Sequence, residues 1–183
     1  MKKDVVIIGA GPAGIFTALE MLRRGSQKKI LIIEKGVSVE RRACPKAKTK
    51  VCMNCKPYCH ITTGFSGAGA FSDGKLTTRI NDPMSEWVLR TFVEHGAPEE
   101  ILYKAKPHIG TDILKRVVCS MREEIIRLGG EVHFGCTLTG VRSRNGALTA
   151  AVIDGQEIAC DRLILAIGHS ARDTFEHLLH SGV

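Results

Sequence analysis

The first fourteen residues hold the pattern that most constrains how this chain can fold. A run of apolar, β-branched residues at positions 5–8 leads directly into a turn with glycines at positions 9, 11 and 14. In a strand–turn–helix unit, Gly9 permits the tight turn, Gly11 lets backbone approach a diphosphate, and Gly14 lets the helix lie close to the strand. The N-terminus of that helix presents N–H groups and a partial positive charge to phosphates. The pattern therefore predicts a dinucleotide-binding unit.

An acid stands where such a unit requires one. Glu34 follows Gly14 by twenty residues and ends a second apolar run at positions 30–33. A carboxylate at this place accepts hydrogen bonds from the adenosine ribose hydroxyls and disfavours a 2′-phosphate. We therefore expect Glu34 to bind the ribose, with a solvated strand end as the alternative.

The order of the remaining elements predicts an α/β fold. Periodicity and turn residues predict strands at about 4–9, 29–34, 131–134, 137–143, 147–153, 156–160 and 162–166, and helices at about 12–25, 84–95 and 111–128. Thr111 or Asp112 is the expected N-cap of the last helix. Between about 36 and 80, a Cys-, Lys- and Gly-rich insertion replaces the periodic pattern and is too long for an ordinary connection. We expect one Rossmann-like domain with a parallel sheet, in which a small antiparallel meander replaces a crossover helix.

Composition fits a globular domain and excludes several classes of protein. The 183 residues are 44% apolar, enough for one domain core, and no apolar run approaches the ~20 residues that span a bilayer. The N-terminus lacks the apolar stretch of a signal peptide, so we expect a cytoplasmic protein that is not bound to membranes. The odd number of cysteines, 7, argues for thiols or metal ligands rather than a disulfide framework.

Much of the net charge of +7 lies in one stretch of the insertion. Its basic residues, with no acid among them, are Arg41, Arg42, Lys46, Lys48, Lys50 and Lys56. A solvated loop is the favoured interpretation, and a basic lining for an anionic cofactor or substrate is the alternative. We do not expect a nucleic-acid partner, because no nucleic-acid-binding motif accompanies the charge and aromatic residues make up only 5%.

The cysteines of the insertion allow three interpretations. Cys44, Cys52, Cys55 and Cys59 could hold zinc or an iron–sulfur cluster, Cys52 and Cys55 could form a redox dithiol, or all four could be inert. Covalent haem is not expected, because the chain lacks C-x-x-C-H. Cys119, Cys136 and Cys160 stand alone in helix or strand patterns and are expected in the core.

Several motifs resemble a known family. The opening glycines, the segment Glu34-Lys35-Gly36 and the strand end at 165–168 resemble the glutathione-reductase-type FAD-binding fold, although Ile167 replaces the usual threonine. The stretches at 64–76 and 108–112 look like a family of bacterial and archaeal FAD-dependent dehydrogenases, also described as NAD(P)/FAD-dependent oxidoreductases. In that family an additional strand returns to the first domain. The resemblance therefore implies that residues 1–183 form an incomplete, C-terminally truncated FAD-binding domain.

The resemblance also implies which residues contact the cofactor. These are Gly9, Gly11, Pro12, Ala13, Gly14, Glu34, Lys35, Gly67, Ala68, Ser72, Asp73, Lys75, Leu138, Ala166 and Gly168. In this interpretation the 64–76 loop wraps the diphosphate and flavin, and Leu138 contacts adenine through its backbone. His169 either lines the cleft or caps the next helix, with the cap favoured.

The implied function is that of an FAD-dependent oxidoreductase acting on a small molecule, with NAD(P)H as a candidate electron partner. No catalytic residue is assigned, because such residues usually come from a substrate domain. Two alternatives stay open: an NAD-binding dehydrogenase domain, and a cysteine-rich metal-binding or redox-sensing module on a nucleotide-binding fold. The sequence gives no expectation for the oligomeric state.

Overall fold

A computed structural model describes residues 2–71, 74–76, 78, 80, 82–104 and 106–180. Within these residues, strands form a six-stranded sheet in the order β3-β2-β1-β6-β5-β4. The strands are β1 Lys3–Ile8, β2 Ile30–Glu34, β3 Glu131–Phe134, β4 Leu138–Arg144, β5 Ala147–Ile153 and β6 Gln156–Leu165.

Helices lie between β1, β2 and β3, and one more follows β6. They are α1 Pro12–Arg23, α2 Lys46–Thr49, α3 Pro83–Glu94, α4 Thr111–Arg127 and α5 Arg172–His180, with short 3-10 turns at Val39–Arg41, Gly67–Phe71 and Glu99–Leu102. None of the described helices combines the length and apolar character needed to cross a bilayer. The N-cap of α4 is Gly110, with φ 85, so the expectation of Thr111 or Asp112 was wrong by one or two positions.

Strand β1 lies at the centre of the parallel half. Val5 of β1 is opposite Ile30 of β2 on one side and Arg162 of β6 on the other. Side chains alternate across the sheet, so Val5 and Ile7 pack with α1 and α4, whereas Val6 and Ile8 pack with the meander and α5. Both faces of β1 are covered, which explains its unbroken apolar run.

The predicted parallel sheet with an antiparallel meander is confirmed, with one correction. Strands were predicted separately at about 156–160 and 162–166, but the structure has a single strand, β6. Its first half pairs antiparallel with β5, where Ala159 is opposite Ala150, and its second half pairs parallel with β1. Asp161 and Arg162 are exposed at the changeover, and their polar side chains resemble a strand end although the backbone continues.

Candidate nucleotide-binding site

A cleft of about 880 Å³ opens at the carboxyl ends of β1, β2 and β6. This is where open α/β sheets bind their ligands. The predicted cofactor residues that line it are Gly9, Gly11, Pro12, Ala13, Glu34, Lys35, Gly67, Ala68, Leu138, Ala166 and Gly168. The fold thus brings together residues from five separate segments of the chain.

Two glycines of the opening turn are required by the protein's own packing. Gly9 has φ +100, and a Cβ added there would lie 2.4 Å from the carbonyl oxygen of Ala166. A Cβ added to Gly14 would lie 2.0 Å from the carbonyl oxygen of Gly9. Gly14 is not among the cleft-lining residues, and this geometry agrees with the packing role expected for it.

Gly11 differs from both of its neighbours in the motif. Its backbone is extended, with φ −73 and ψ −178, a conformation open to any residue. A Cβ added to Gly11 would meet no atom within 4 Å, yet the residue lines the cleft. Because neither packing nor backbone strain requires glycine here, the free space on its cleft side fits close approach by a ligand. The first N–H groups of α1, which have no acceptor within the helix, begin at the same place.

Glu34 fastens the glycine turn to the end of β2. The carboxylate is buried, with Oε2 accepting the N–H of Ala10 at 2.9 Å and Oε1 accepting the N–H of Gly36 at 2.8 Å. The sequence indicated a ligand contact for this acid but not this internal one. A carboxylate can accept further hydrogen bonds, so ribose binding by Glu34 stays a prediction.

The glycine-rich loop at 64–71 forms another wall of the cleft. Ser66 donates its N–H to the carbonyl of Ala10 at 2.7 Å, which joins the loop to the opening turn. A Cβ added to Gly67 would lie 3.3 Å from the Cα of Gly11, so the two glycine segments are in close contact. The loop therefore lies at the cleft, and its contact with the diphosphate and flavin stays a prediction.

The remainder of the 64–76 motif is placed differently. Ser72 and Asp73 lie outside the described residues. Lys75 is exposed, is not among the cleft-lining residues, and pairs with His108 in an isolated antiparallel bridge. Ile109 donates its N–H to the carbonyl of Gly74 at 3.0 Å. The two motifs that carried the family resemblance are therefore neighbours in the fold.

Arg42 is the residue of this region that sequence reasoning missed. It is only 4% exposed, whereas Arg41 and the four lysines of the basic stretch are exposed, as the favoured interpretation expected. Its guanidinium donates to the carbonyls of His60 at 2.9 Å, Ile61 at 2.8 Å, Gly64 at 3.4 Å, Phe65 at 2.7 Å and Gly67 at 2.7 Å. No pattern in the sequence distinguishes Arg42 from Arg41.

Burial also shifts the ionisation of this group. Loss of hydration lowers the pKa of the Arg42 guanidinium, and the negative charges of Glu34 and Cys59 oppose that shift. An arginine remains charged at any accessible pH even so. Arg42 is therefore a buried positive charge next to the cleft.

The structure does not support a metal centre at Cys44, Cys52, Cys55 and Cys59. Among the described residues, which include all four, no three His, Cys, Asp or Glu side chains are placed to hold a metal ion. Cys52 and Cys59 are exposed, and all the cysteines are free thiols. The redox-dithiol interpretation of Cys52 and Cys55 stays a prediction.

Two cysteines line the cleft, Cys59 and Cys136. Hydrogen bonds from the backbone N–H groups of Ile61 and Thr62 lower the pKa of the Cys59 thiol. Cys136 was expected in the core; it is half-buried, packs against the core cluster that contains Cys160, and also lines the cleft. Cys160 is buried, as expected. Cys119 is half-buried and packs against the core, and desolvation is the main cause that raises its pKa to about 11.

The segment after β6 completes the cleft. His169 lines it, three residues before α5 begins, rather than capping the helix as was favoured. Lys35, directly after β2, forms an ion pair with Asp173 in the first turn of α5, and this pair lowers the pKa of Asp173. The ion pair links the two sides of the cleft.

Comparison with known proteins identifies the same segment. The sequence profile of the FAD binding domain family matches residues 4–43, which contain all but the first residue of β1, the glycine turn, α1, β2 and Arg42. The whole chain is 45% identical to an uncharacterized protein of Clostridium beijerinckii and spans 34% of the length of that relative.

Solved structures share the fold at low sequence identity. Thermovibrio ammonificans THI4 has a TM-score of 0.63 at 17% identity, with 100% of this chain and 64% of that chain covered. Glycine oxidase from Bacillus cereus has a TM-score of 0.59 at 15% identity, with 96% of this chain and 58% of that chain covered. L-proline dehydrogenase from P. horikoshii has a TM-score of 0.58 at 12% identity, with 100% of this chain and 56% of that chain covered. The chain therefore has the Rossmann-like fold of FAD-binding domains, and its first β-α-β unit matches that family directly.

Proposed function

We propose that this chain supplies the FAD-binding part of a flavin-dependent oxidoreductase. The observation that carries the proposal is the open cleft side of Gly11 at the N-terminus of α1. This glycine lies in the segment that matches the FAD binding domain family, where the fold does not itself require glycine. A ligand that approaches the backbone closely explains the residue.

The cleft-lining residues suggest how the nucleotide lies. The N–H groups at the start of α1 and the backbone of Gly11 bind the diphosphate, where the helix dipole favours negative charge. Glu34 accepts from the adenosine ribose while it holds the turn in place. Leu138, at the start of β4, lies on the adenine side, and Gly67 and Ala68 of the glycine-rich loop cover the side next to Gly11.

A bound flavin supplies the redox chemistry, as it accepts a hydride or an electron pair from a substrate. The residues of this chain bind the cofactor and fix its orientation. Glycine oxidase and L-proline dehydrogenase, whose names denote oxidation of small molecules, share the fold. By analogy we propose a small-molecule substrate, with NAD(P)H as a candidate electron partner and the cytoplasm as the location.

FAD is favoured over NAD as the nucleotide. Both require a glycine turn and a ribose-binding acid, so these residues do not discriminate between them. The family match over residues 4–43 and the antiparallel meander between β3 and β6 favour the flavin nucleotide.

Absorbance of the purified protein tests the proposal. We expect flavin bands at roughly 370 and 450 nm, which arise from the cofactor itself. Heat release followed by chromatography against FAD, FMN and NAD standards identifies the nucleotide, and we expect FAD. A colourless protein that cannot be reconstituted with FAD, or one that releases only NAD, would contradict the proposal.

A further inference from the structure

Arg42 connects the end of the first β-α-β unit to a cleft wall that begins almost twenty residues later. Its guanidinium donates to carbonyls on both sides of the turn at 61–64, including those of Phe65 and Gly67 at 2.7 Å each. Its carbon stem packs closely enough that a Cβ on Gly64 would lie 2.7 Å from Arg42 Cδ. The ring of Phe71 lies 4.9 Å from Arg42 Cζ and covers the far end of the loop. One side chain thus fixes the path of the segment from His60 to Phe71.

These hydrogen bonds also determine which groups of the loop are available to a ligand. A carbonyl oxygen that accepts from Arg42 is directed at a buried cation rather than at an anion in the cleft. The carbonyl of Gly67 is one of them, and the same residue approaches Gly11, with 3.3 Å from its Cβ position to Gly11 Cα. Arg42 therefore keeps electron-rich oxygens away from the place where a diphosphate would lie.

The guanidinium of Arg42 forms its hydrogen bonds with backbone carbonyls. Its hydrogen-bond acceptors in the described part of the chain are backbone oxygens, not carboxylates. The negative charges of Glu34 and Cys59 offset only part of the cost of its burial, since loss of hydration still lowers the pKa of the Arg42 guanidinium overall. A ligand dianion separated from it by the Gly67 backbone would offset that cost.

We infer that Arg42 is a positioning residue for the nucleotide cleft. It holds the 60–67 loop against the glycine turn and places a positive charge behind the diphosphate site. This inference rests on the proposed FAD binding, although Arg42 itself is not among the cleft-lining residues.

The test compares Arg42→Met and Arg42→Lys with the matched control Arg41→Met in the full chain. Arg41 is exposed and adjacent, so its replacement removes the same charge from the same stretch without touching the loop. Hydrogen–deuterium exchange of residues 60–68 without FAD measures how strongly the loop is protected. Titration with FAD measures the Kd of the cleft for the nucleotide. Circular dichroism shows which variants are folded. If Arg42→Met does not fold, Arg42→Lys is compared with wild type in its place.

Both Arg42 variants should lose exchange protection in residues 60–68, because neither methionine nor lysine reproduces the guanidinium fork. The Kd for FAD should rise at least about tenfold in Arg42→Met and less in Arg42→Lys, which keeps the charge. Arg41→Met should change the Kd by less than about twofold. A merely structural role would weaken FAD binding equally in the two Arg42 variants.

Three results would overturn the inference: wild-type protection of the loop in Arg42→Met, an unchanged Kd in that variant, or equal losses of affinity in Arg42→Met and Arg42→Lys. Failure of the wild-type chain to bind FAD is a different result, since it contradicts the proposed function. The exchange comparison between Arg42→Met and Arg41→Met would then still decide whether Arg42 holds the loop.

Discussion

The carboxylate of Glu34 accepts the backbone N–H of Ala10 at 2.9 Å and so joins the end of β2 to the glycine turn after β1. The same side chain binds the N–H of Gly36, where the chain leaves the sheet. An acid predicted to hold a ribose thus also maintains the turn on which the cleft depends.

Replacement of Glu34 by glutamine should therefore destabilise the protein even without a ligand. One side-chain oxygen becomes an NH₂ group, so one of the two buried backbone donors loses its acceptor. We expect the free energy of unfolding to fall by about 1–3 kcal/mol, as measured by urea denaturation. Glu157→Gln, at an exposed surface ion pair, is the control and should change it by less than about 1 kcal/mol. Equal stability of Glu34→Gln and wild type would contradict this role.

The two later glycines of the turn should respond differently to alanine. Gly14→Ala places a methyl group 2.0 Å from the carbonyl oxygen of Gly9 and should cost about 1–3 kcal/mol or more through overpacking. Gly11→Ala meets no atom within 4 Å and should change stability by less than about 0.5 kcal/mol. Denaturant unfolding of both variants without FAD measures the contrast. A Gly11→Ala variant as unstable as Gly14→Ala would show that packing explains Gly11.

Bound FAD should protect Cys59 from alkylation. Cys59 lines the cleft, and backbone N–H groups lower its pKa, which favours the reactive thiolate. We expect iodoacetamide to label Cys59 several-fold more slowly when FAD is present, as followed by peptide mass spectrometry. Cys52 is exposed and not among the cleft-lining residues, so its labelling should not change. Unaltered labelling of Cys59 at saturating FAD would place the nucleotide elsewhere.

Acid should weaken the contact between the Val39–Arg41 turn and α4. Arg122 donates to both carboxylate oxygens of Glu40, at 3.1 and 2.7 Å, and lowers the pKa of Glu40 from 4.5 to about 2. A depressed pKa in the folded state contributes stability above pH 4.5, and that contribution is lost as the pH falls towards 2.

The measurement is the free energy of unfolding between pH 6 and pH 2, taken from urea denaturation. In Glu40→Gln the free energy of unfolding should fall less steeply below pH 4.5 than in wild type, and Arg122→Met should show the same smaller fall. The difference should stay below about 1 kcal/mol, because the Glu40 side chain is half exposed and water screens the pair. Identical pH profiles for wild type and both variants would exclude this linkage.

Local pattern was sufficient to predict the β-α-β unit. Two apolar runs of four residues, a glycine turn and an acid at a fixed distance make β1, α1 and β2 recognisable, because each signal depends on neighbours in the chain. The hairpins of the meander were equally visible, since Asn145 and Asp154 adopt positive φ next to glycine, as such turns require.

Tertiary context decided what the sequence could not show. The sequence predicted a break at Asp161, between strands at 156–160 and 162–166, but pairing with β1 continues β6 through this position. Arg42 and Arg41 are alike in sequence, and only the path of the 60–67 loop makes one of them buried. The internal hydrogen bond of Glu34 depends in the same way on the position of Ala10, which no spacing rule specifies.

Calorimetric titration of FAD into the wild-type chain and into Gly11→Val tests the central claim most directly. The extended backbone at Gly11 accepts valine, so the variant should fold while its side chain occupies the diphosphate position. We predict one FAD bound per wild-type chain and no measurable binding by the folded Gly11→Val variant. Equal FAD affinity in the two proteins would contradict the assignment of this cleft as the nucleotide site.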